Sequence, residues 1–228
     1  NDFYKPYFFN RRNRLPFTTG KIAISKNNLI YSKGTKKITD IHSDRFTHFL
    51  RYKNDSILIS YKTLNKDNPR LNCRLKGLSR FTPKRIILDN NLNIKTDSYI
   101  FNTANKKNTI IFYNKADKKK IIFFKKKGMK LIKSKLTKNN YFDLKILLKK
   151  LYKAGCRNLL VEGGNDLSGS FLKKKLFNKF YLFKSPKSLS KLAAYKDFNC
   201  FKHLSQKYKS KKKINTQLGK DLITIYKK

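Results

Sequence analysis

The sequence predicts an α/β fold in which helices flank a mostly parallel sheet with an antiparallel edge. Short apolar runs alternate with helical patterns over most of the 228 residues, which is typical of parallel strands joined by helices. The last two apolar runs, residues 179–184 and 222–226, have no clear helical pattern between them. We therefore expect these two strands to pair antiparallel at the edge of the sheet.

The other strands are predicted from short apolar runs bounded by turn residues. They cover residues 18–25, 56–60, 84–89, 109–113, 129–133 and 157–161. Three polar segments are predicted to be largely irregular, at residues 26–37, 61–74 and 185–220. Residues 1–15 are aromatic and basic without a period, which indicates a linker or the remnant of a preceding domain.

The first predicted helix begins after Thr39 or Asp40, either of which can cap it, and continues to about residue 52. Phe46, Phe49 and Leu50 recur at helical spacing, which predicts one buried face.

A second helix is predicted over residues 118–127, and the strongest helical pattern follows Asn140. Asn140 is the expected N-cap, Asp143 favours the positive end of the helix dipole, and Gly155 ends the helix. Four leucines form its predicted buried face, namely Leu144, Leu147, Leu148 and Leu151.

The net charge of +43 first suggests a nucleic-acid or anionic-surface binder. However, only ten of the 56 basic residues are Arg, and Lys occurs in nearly every segment alongside abundant Asn. This distribution favours a background bias in composition over a binding stripe, and both interpretations stay open. No apolar run approaches the roughly 20 residues of a membrane span, and no signal peptide is recognisable.

The cysteines and histidines do not indicate a metal centre. Cys73, Cys156 and Cys200 are odd in number and far apart, so neither a disulfide framework nor a zinc site is indicated. His42 and His48 are six residues apart on one predicted helix and cannot share a metal. We therefore predict no metal and a reduced, cytoplasmic protein.

The segment around Glu162 is the main candidate for a functional site. A short apolar run ends at Val161 and is followed by Glu162, Gly163 and Gly164, after which Asn165 or Asp166 can cap a helix. Open α/β sheets place ligands at the carboxyl ends of their strands, and free N–H groups at a helix start suit a phosphate. A Gly-Gly turn can also merely connect two elements, and Glu162, the only Glu in the chain, can be structural.

The segment 61–74 is the second candidate, because it is long for a mere connection. It combines hydroxyl, carboxylate and guanidinium groups in Thr63, Asp67, Arg70 and Arg74. Arg51 ends the preceding helix, where a cation favours the dipole whether or not it also binds a ligand.

Taken together, these segments resemble the pyrimidine reductase domain of riboflavin biosynthesis, over about residues 16–186. The matching motifs are the strand at 15–25, the helix ending in Leu50-Arg51 with the strand at 55–59, Thr63-x-x-x-Asp67-x-Pro69-x-Leu71-x-x-Arg74, Pro83-x-Arg85-Ile86-Ile87-Leu88-Asp89, and Val161-Glu162-Gly163-Gly164. The resemblance assigns residues 16–228 to the reductase domain and implies a dihydrofolate-reductase-like fold. Asn90 and Lys37 depart from the pattern, since they stand where the family has Ser and commonly an aromatic residue.

The resemblance also implies an activity and its residues. The activity would be NADPH-dependent reduction of 5-amino-6-(5-phosphoribosylamino)uracil to the ribitylamino product. By motif position, the substrate would contact Thr35, Arg51, Leu71, Arg74 and Glu162, with Glu162 also the catalytic candidate. NADPH would contact Ala23, Lys37, Thr63, Asp67, Asn90, Gly164, Asn165, Asp166, Leu167, Ser168, Gly169 and Ser170.

The same resemblance implies partners for the domain, and two rival hypotheses for its function stay open. It implies a homodimer and a deaminase domain that lies upstream or on a separate chain. The rival hypotheses are a charge-driven binder of nucleic acid or an anionic surface, and a catalytically silent domain that keeps the fold.

Overall fold

A computed structural model describes residues 3–35, 37–192, 194–214 and 219–228. The predictions made above for residues 1, 2, 36, 193 and 215–218 lie outside the described residues. The chain divides into two compact units. The first unit comprises Asn1–Phe17 and Arg51–Leu159, and the second comprises Thr18–Leu50 and Leu160–Lys228.

The first unit contains four neighbouring parallel strands in the order β3, β4, β5 and β6. Their bounds are β3 Ser56–Ser60, β4 Lys84–Leu88, β5 Thr109–Tyr113 and β6 Lys130–Lys133. Ile57 pairs with Arg85, and Ile87 pairs with Ile111. The apolar side chains of β3 and β5 are almost fully buried, as expected for parallel strands covered on both faces.

Helices connect these strands and cover them. The first unit holds α1 Lys5–Asn13, α3 Tyr61–Asp67, α4 Tyr99–Asn102, α5 Lys118–Lys126 and α6 Leu144–Lys153, with a short 3-10 turn at Ser79–Phe81. The helix α2 Ile41–Tyr52 and the strand β7 Asn158–Val161 both cross the boundary between the units.

Three helices of the first unit were not predicted, namely α1, α3 and α4. The sequence before residue 15 forms α1, in which buried Asn10 donates hydrogen bonds to the carbonyl oxygens of Leu15 at 2.8 Å and Arg157 at 3.0 Å. The segment after β3, predicted to be irregular, begins as the helix α3.

The helix α6 confirms the leucine face, since Leu144, Leu147, Leu148 and Leu151 are all buried. The predicted cap is wrong. The N-cap is Asp143, whose carboxylate accepts hydrogen bonds from the N–H groups of Lys145 at 2.9 Å and Ile146 at 3.1 Å. A carboxylate accepts two such bonds at once, and its charge complements the helix dipole.

The second unit contains four neighbouring strands in the order β10, β11, β8 and β1. Their bounds are β1 Phe17–Ile24, β8 Lys179–Lys184, β10 Ser210–Ile214 and β11 Leu222–Lys227. β1 and β8 are parallel, whereas β11 pairs antiparallel with both β8 and β10. The expected antiparallel edge is therefore confirmed.

The other elements of the second unit differ more from the predictions. They are β2 Leu29–Ser32, β9 Tyr195–Asp197, α7 Asn165–Lys173 and α8 Phe201–Lys207. β2 and β9 form a separate antiparallel pair. Because β2 lies in segment 26–37, while β9, α8 and β10 lie in segment 185–220, the prediction of irregular structure is wrong for much of both segments.

Aromatic packing fills the interior of the second unit. The rings of Phe171 and Phe177 are stacked with centroids 5.0 Å apart, and Phe177 also contacts Phe180. A Cβ atom at Gly20 would lie 2.5 Å from the Phe180 ring, so only glycine fits on that part of β1. On α2, Leu50 is buried as predicted, but Phe49 is 40% exposed and does not belong to the buried face.

None of the helices formed by the described residues is both long and apolar enough to cross a membrane.

Candidate functional site

The first unit positions its polar residues at the carboxyl end of β3. The hydroxyl oxygen of Ser60, the N-cap of α3, accepts the Thr63 N–H at 3.3 Å and lies 3.1 Å from the Thr63 hydroxyl. Thr63 and Asp67 are four residues apart on this helix, so they share one face of it.

The segment that follows α3 is held at both ends. Asn68 and Leu71 adopt left-handed backbone conformations, with φ of 40° and 53°. The side-chain oxygen of Asn68 accepts the Tyr99 N–H at 2.8 Å, and the Cys73 N–H donates to the Thr82 hydroxyl at 3.3 Å. Left-handed backbone is unfavourable for a residue such as Leu71 and persists only where its surroundings enforce it. Burial of the Leu71 side chain, 2% exposed, provides this enforcement.

Asn72 brings the two predicted arginines together. The Arg51 guanidinium donates to the backbone oxygen of Asn72 at 3.2 Å, and the Arg74 guanidinium donates to its side-chain oxygen at 3.0 Å. Arg51 is half-buried and Arg74 is exposed. Two guanidinium groups gathered on one residue suit an anion such as a phosphate, which guanidinium binds in a bidentate manner. Sequence reasoning missed Asn72, because nothing in a lone Asn signals that it bonds both to nearby Arg74 and to Arg51 at the end of α2.

Asp67 and Asn90 lie elsewhere in the same unit. Asp67 is on the surface at the end of α3, and partial loss of hydration raises the pKa of its carboxyl group. Asn90 is the second residue after β4, and its side-chain amide donates to the backbone oxygen of Asn140 at 3.3 Å.

Asp89, which precedes Asn90, is fully buried. Its carboxylate accepts the N–H groups of Ile94 at 2.9 Å and Asn91 at 3.3 Å. Burial raises the pKa of Asp89, and these hydrogen bonds only partly oppose the shift. The residue therefore orders the turn after β4.

In the second unit, the candidate turn joins the end of β7 to α7. Glu162 is half-buried and follows the strand directly. Gly164 is the N-cap of α7 and no side chain caps this end, so the expected cap by Asn165 or Asp166 is wrong. A Cβ atom at Gly163 would lie 2.8 Å from Leu167, whereas one at Gly164 would meet nothing within 4 Å.

The side chains of α7 are largely engaged within the protein. The Ser168 hydroxyl donates to the Gly163 carbonyl at 3.1 Å, and the Ser170 hydroxyl donates to the Asp166 carbonyl at 2.8 Å. The Asn165 side-chain oxygen accepts the Asn199 N–H at 3.2 Å. What this end of α7 offers a ligand is therefore chiefly its backbone N–H groups and the positive end of the helix dipole.

Gly169 and Leu167 have packing roles in the same helix. A Cβ atom at Gly169 would lie 2.9 Å from the sulfur of Cys200, so glycine lets α7 approach that residue closely. Leu167 fills the space that glycine leaves open at position 163.

The other predicted residues of the second unit are spread over three segments. Ala23 lies in β1 opposite Phe183 of β8. The Thr35 N–H donates to the Ser32 carbonyl at 3.1 Å. Lys37 is exposed and forms an ion pair with Asp44 of α2.

The described cysteines and acidic residues form no metal-binding group. Cys73, Cys156 and Cys200 are buried thiols. Within residues 3–35, 37–192, 194–214 and 219–228, no cluster of three or more His, Cys, Asp or Glu residues could hold a metal ion.

A family model described as the RibD C-terminal domain matches residues 29–207, which is most of the chain. The chain belongs to the RibD C-terminal domain family. It is 30% identical over 194 residues to the riboflavin biosynthesis protein RibD of Aquifex aeolicus, covering 85% of this chain and 52% of that protein. It is also 26% identical over 156 residues to a 2,5-diamino-6-ribosylamino-4(3H)-pyrimidinone 5′-phosphate reductase of the same organism, covering 68% of this chain and 67% of the reductase. The chain therefore spans about half the length of the RibD relative and two thirds of the reductase.

Solved structures share the fold of this RibD C-terminal domain. Acinetobacter baumannii RibD matches with a TM-score of 0.79 and 20% identity, covering 99% of this chain and 62% of that one. The Saccharomyces cerevisiae riboflavin biosynthesis reductase Rib7 matches with a TM-score of 0.66 and 17% identity, covering 99% and 97% of the two chains. The expected dihydrofolate-reductase-like fold, mostly parallel with an antiparallel edge, is confirmed.

Proposed function

We propose that this RibD C-terminal domain reduces the ribose of a phosphorylated ribosylaminopyrimidine, with NADPH as the hydride donor. The observation that carries the proposal is the pairing of Arg51 and Arg74 on Asn72, in a chain of this family. A relative is named as a reductase of such a phosphate ester, and a pair of guanidinium groups is suited to bind one.

The residues proposed to bind the substrate are Arg51, Leu71, Arg74 and Glu162. Arg51 and Arg74 bind its phosphate or pyrimidine oxygens by charge-assisted hydrogen bonds. Leu71 contributes an apolar contact and fixes the turn that precedes Asn72. Glu162 accepts N–H groups of the substrate or stabilises positive charge that develops when the opened ribose forms an imine at C1′.

The residues present also fit a phosphate-bearing cofactor. The start of α7 has no side-chain cap, and there is open space at the Cβ position of Gly164. Backbone N–H groups at such a helix start bind phosphate. NADPH would supply the hydride, while the chain supplies binding and orientation. Of the remaining predicted residues, Thr63, Asp67, Asn90, Ala23 and Lys37 are proposed as cofactor contacts and Thr35 as a substrate contact.

Two substrates are distinguished by the names of the relatives. A Thermotoga maritima relative is named as a 5-amino-6-(5-phosphoribosylamino)uracil reductase joined to a deaminase, whereas the Aquifex aeolicus reductase is named for the 2,5-diaminopyrimidinone. We favour the uracil because the resemblance of the motifs implies it. An upstream or separate deaminase, a homodimer and a cytoplasmic location belong to the same proposal.

The decisive test is NADPH oxidation followed at 340 nm with each of the two substrates, repeated with NADH. We expect turnover with the uracil and micromolar NADPH binding, about −8 kcal/mol. If neither NADPH nor NADH binds saturably, the reductase proposal is refuted. NADPH binding without turnover of either substrate would favour the catalytically silent domain.

The competing nucleic-acid hypothesis rests on the net charge of +43. Binding by counterion release weakens steeply as salt rises, because each phosphate contact releases a condensed cation. A Kd for duplex DNA that falls into the nanomolar range at physiological salt would support this hypothesis. Weak binding that disappears between 50 and 200 mM salt, roughly the range over which such contacts are lost, would leave the charge as composition bias.

A further inference from the structure

We propose that Asn72 is a positioning residue that sets the two arginines of the first unit into one cradle for a phosphate dianion. This inference rests on the proposed reductase function for the identity of the ligand. The evidence for the cradle itself is geometric. One residue offers two acceptors, a backbone oxygen 3.2 Å from Arg51 and a side-chain oxygen 3.0 Å from Arg74.

Electrostatics explains why such a residue is required. Two guanidinium groups repel one another, and by about 1 kcal/mol even at 4 Å in water. The neutral Asn72 can hold both, because its backbone oxygen and its side-chain oxygen each accept one N–H group. Asn72 itself adds no negative charge that would compete with an anion for the two arginines.

The backbone around Asn72 is arranged to present these two oxygens. Leu71 takes a left-handed conformation with its side chain buried. Cys73 is fixed by its N–H bond to the Thr82 hydroxyl. Asn72 therefore lies between two anchored residues, and its carbonyl group has little freedom to turn away from Arg51. Pre-organisation of this kind lowers the entropy lost when the ligand binds.

The two acceptors differ in how they respond to mutation. Asn72→Ala removes the side-chain oxygen that holds Arg74 but keeps the backbone oxygen that holds Arg51. We expect a KM for the phosphorylated substrate that is about 2- to 10-fold higher, since a net hydrogen bond contributes about 0.5–1.5 kcal/mol. The kcat should stay within about twofold, because the hydride-accepting carbon is not altered.

A double-mutant cycle isolates the mechanism. In an Arg74→Ala background, Asn72→Ala should have almost no further effect on KM, because the hydrogen bond between Arg74 and the Asn72 side chain is already lost. In an Arg51→Ala background, Asn72→Ala should keep most of its effect. Asn102→Ala is the matched control, since Asn102 is an exposed amide of the same unit that bonds to the Asp97 carbonyl. Equal, additive effects in both backgrounds would overturn the proposal.

Asn72→Asp separates positioning from mere structural support. The carboxylate keeps an acceptor for Arg74, so a structural role predicts a normal KM and a normal melting temperature. The cradle predicts a normal or raised melting temperature together with a KM higher than that of Asn72→Ala, because the new carboxylate competes with the ligand for both arginines. If Asn72→Ala fails to fold, the KM of Asn72→Asp is compared with that of the wild type instead, and a raised KM supports the cradle.

Calorimetric titration with ribose 5-phosphate makes the outcome independent of turnover. If the wild-type protein reduces neither substrate but binds ribose 5-phosphate, and Asn72→Asp weakens that binding, the reductase proposal fails and the cradle stands. If turnover is normal and both Asn72 variants match wild type in KM and in ribose 5-phosphate affinity, the cradle fails and the reductase proposal stands. If the wild-type protein shows neither turnover nor binding of ribose 5-phosphate, both proposals are overturned.

Discussion

The two candidate regions of this RibD C-terminal domain present ligand-binding groups in opposite ways. In the first unit, the side-chain region consists of two charged side chains gathered on Asn72, namely Arg51 at the end of α2 and Arg74 after α3. In the second unit, the turn after β7 uses backbone, with an uncapped helix start at Gly164. Substitutions in the first region should therefore change binding with little effect on folding, whereas those in the second should act through space and backbone geometry.

The largest expected effect tests the side-chain region. Arg51→Ala removes a half-buried guanidinium, and we expect a loss on the order of 2–5 kcal/mol in substrate binding, seen as a higher KM. Arg74→Ala should lie at the lower end of that range, because Arg74 is exposed and screened by solvent. Both variants should melt within a few degrees of wild type.

Arg80→Ala is the matched control for these two variants. Arg80 is an exposed arginine of the same unit that lies over the Phe81 ring at 4.9 Å. An equal rise in KM for Arg80→Ala would show that general charge, not the pair on Asn72, attracts the substrate. An unchanged KM in both Arg51→Ala and Arg74→Ala would contradict the assignment.

The next effect concerns Glu162, which brings a charge to the backbone region. Glu162→Gln keeps the shape and one acceptor but removes the charge. We expect near-normal stability and NADPH affinity, with kcat/KM lower by about 1.4–4 kcal/mol of transition-state stabilisation, or roughly ten- to a thousandfold. Asp197→Asn deletes one charge from the same unit, where Asp197 pairs with Lys191 at 3.8 Å, and should leave kcat/KM unchanged. If Glu162→Gln melts several degrees earlier yet turns over normally, the residue is structural.

Sequence reasoning located several strands better than it located the helix caps and turns. The strands β3, β5 and β8 have the predicted bounds, because buried parallel strands appear in sequence as short apolar runs. The helix caps were misplaced at Asn140 and Asn165, since several polar residues precede each helix and only the backbone conformation decides which one caps it. Asn72 could not be found at all, because its role depends on a left-handed turn at Leu71 that no sequence rule assigns to leucine.

A third prediction compares two neighbouring glycines of the backbone region. In Gly163→Ala the new methyl group would lie 2.8 Å from Leu167, so we expect a loss of about 1–3 kcal/mol in the free energy of unfolding from overpacking. Gly164→Ala meets open space and has φ of −67°, which alanine readily adopts, so its stability should change by about 0.5 kcal/mol or less. Urea titration measures both.

The same pair of variants also tests cofactor binding. If phosphate binds at the start of α7, the methyl group of Gly164→Ala should raise the Kd for NADPH several-fold in a fluorescence titration while the protein stays folded. An unchanged Kd in Gly164→Ala would remove the helix start from the cofactor site. That result would leave the side-chain region as the only supported part of the site.

The smallest effect tests whether the buried carboxylate of Asp89, which follows β4 in the first unit, has a function beyond the fold. Asp89 is buried and its oxygens accept the N–H groups of Ile94 and Asn91, so we assign it to the fold. Its pKa in the folded protein is raised above 3.8 by burial. Below pH 3.8 the carboxyl is protonated in both states and does not affect stability. As the pH rises from 3.8 to the raised folded pKa, the unfolded state loses its proton first, so stability falls, and above that pKa the loss is complete.

Asp89→Asn cannot titrate, so the difference in unfolding free energy between wild type and variant should shift in favour of the variant across this window and then become constant. Thermal unfolding from pH 3 to pH 8 measures this difference, with KM at neutral pH expected to be unchanged. A difference that does not vary with pH would show that burial does not disfavour the Asp89 charge, and a raised KM would place Asp89 among the residues that act on the substrate.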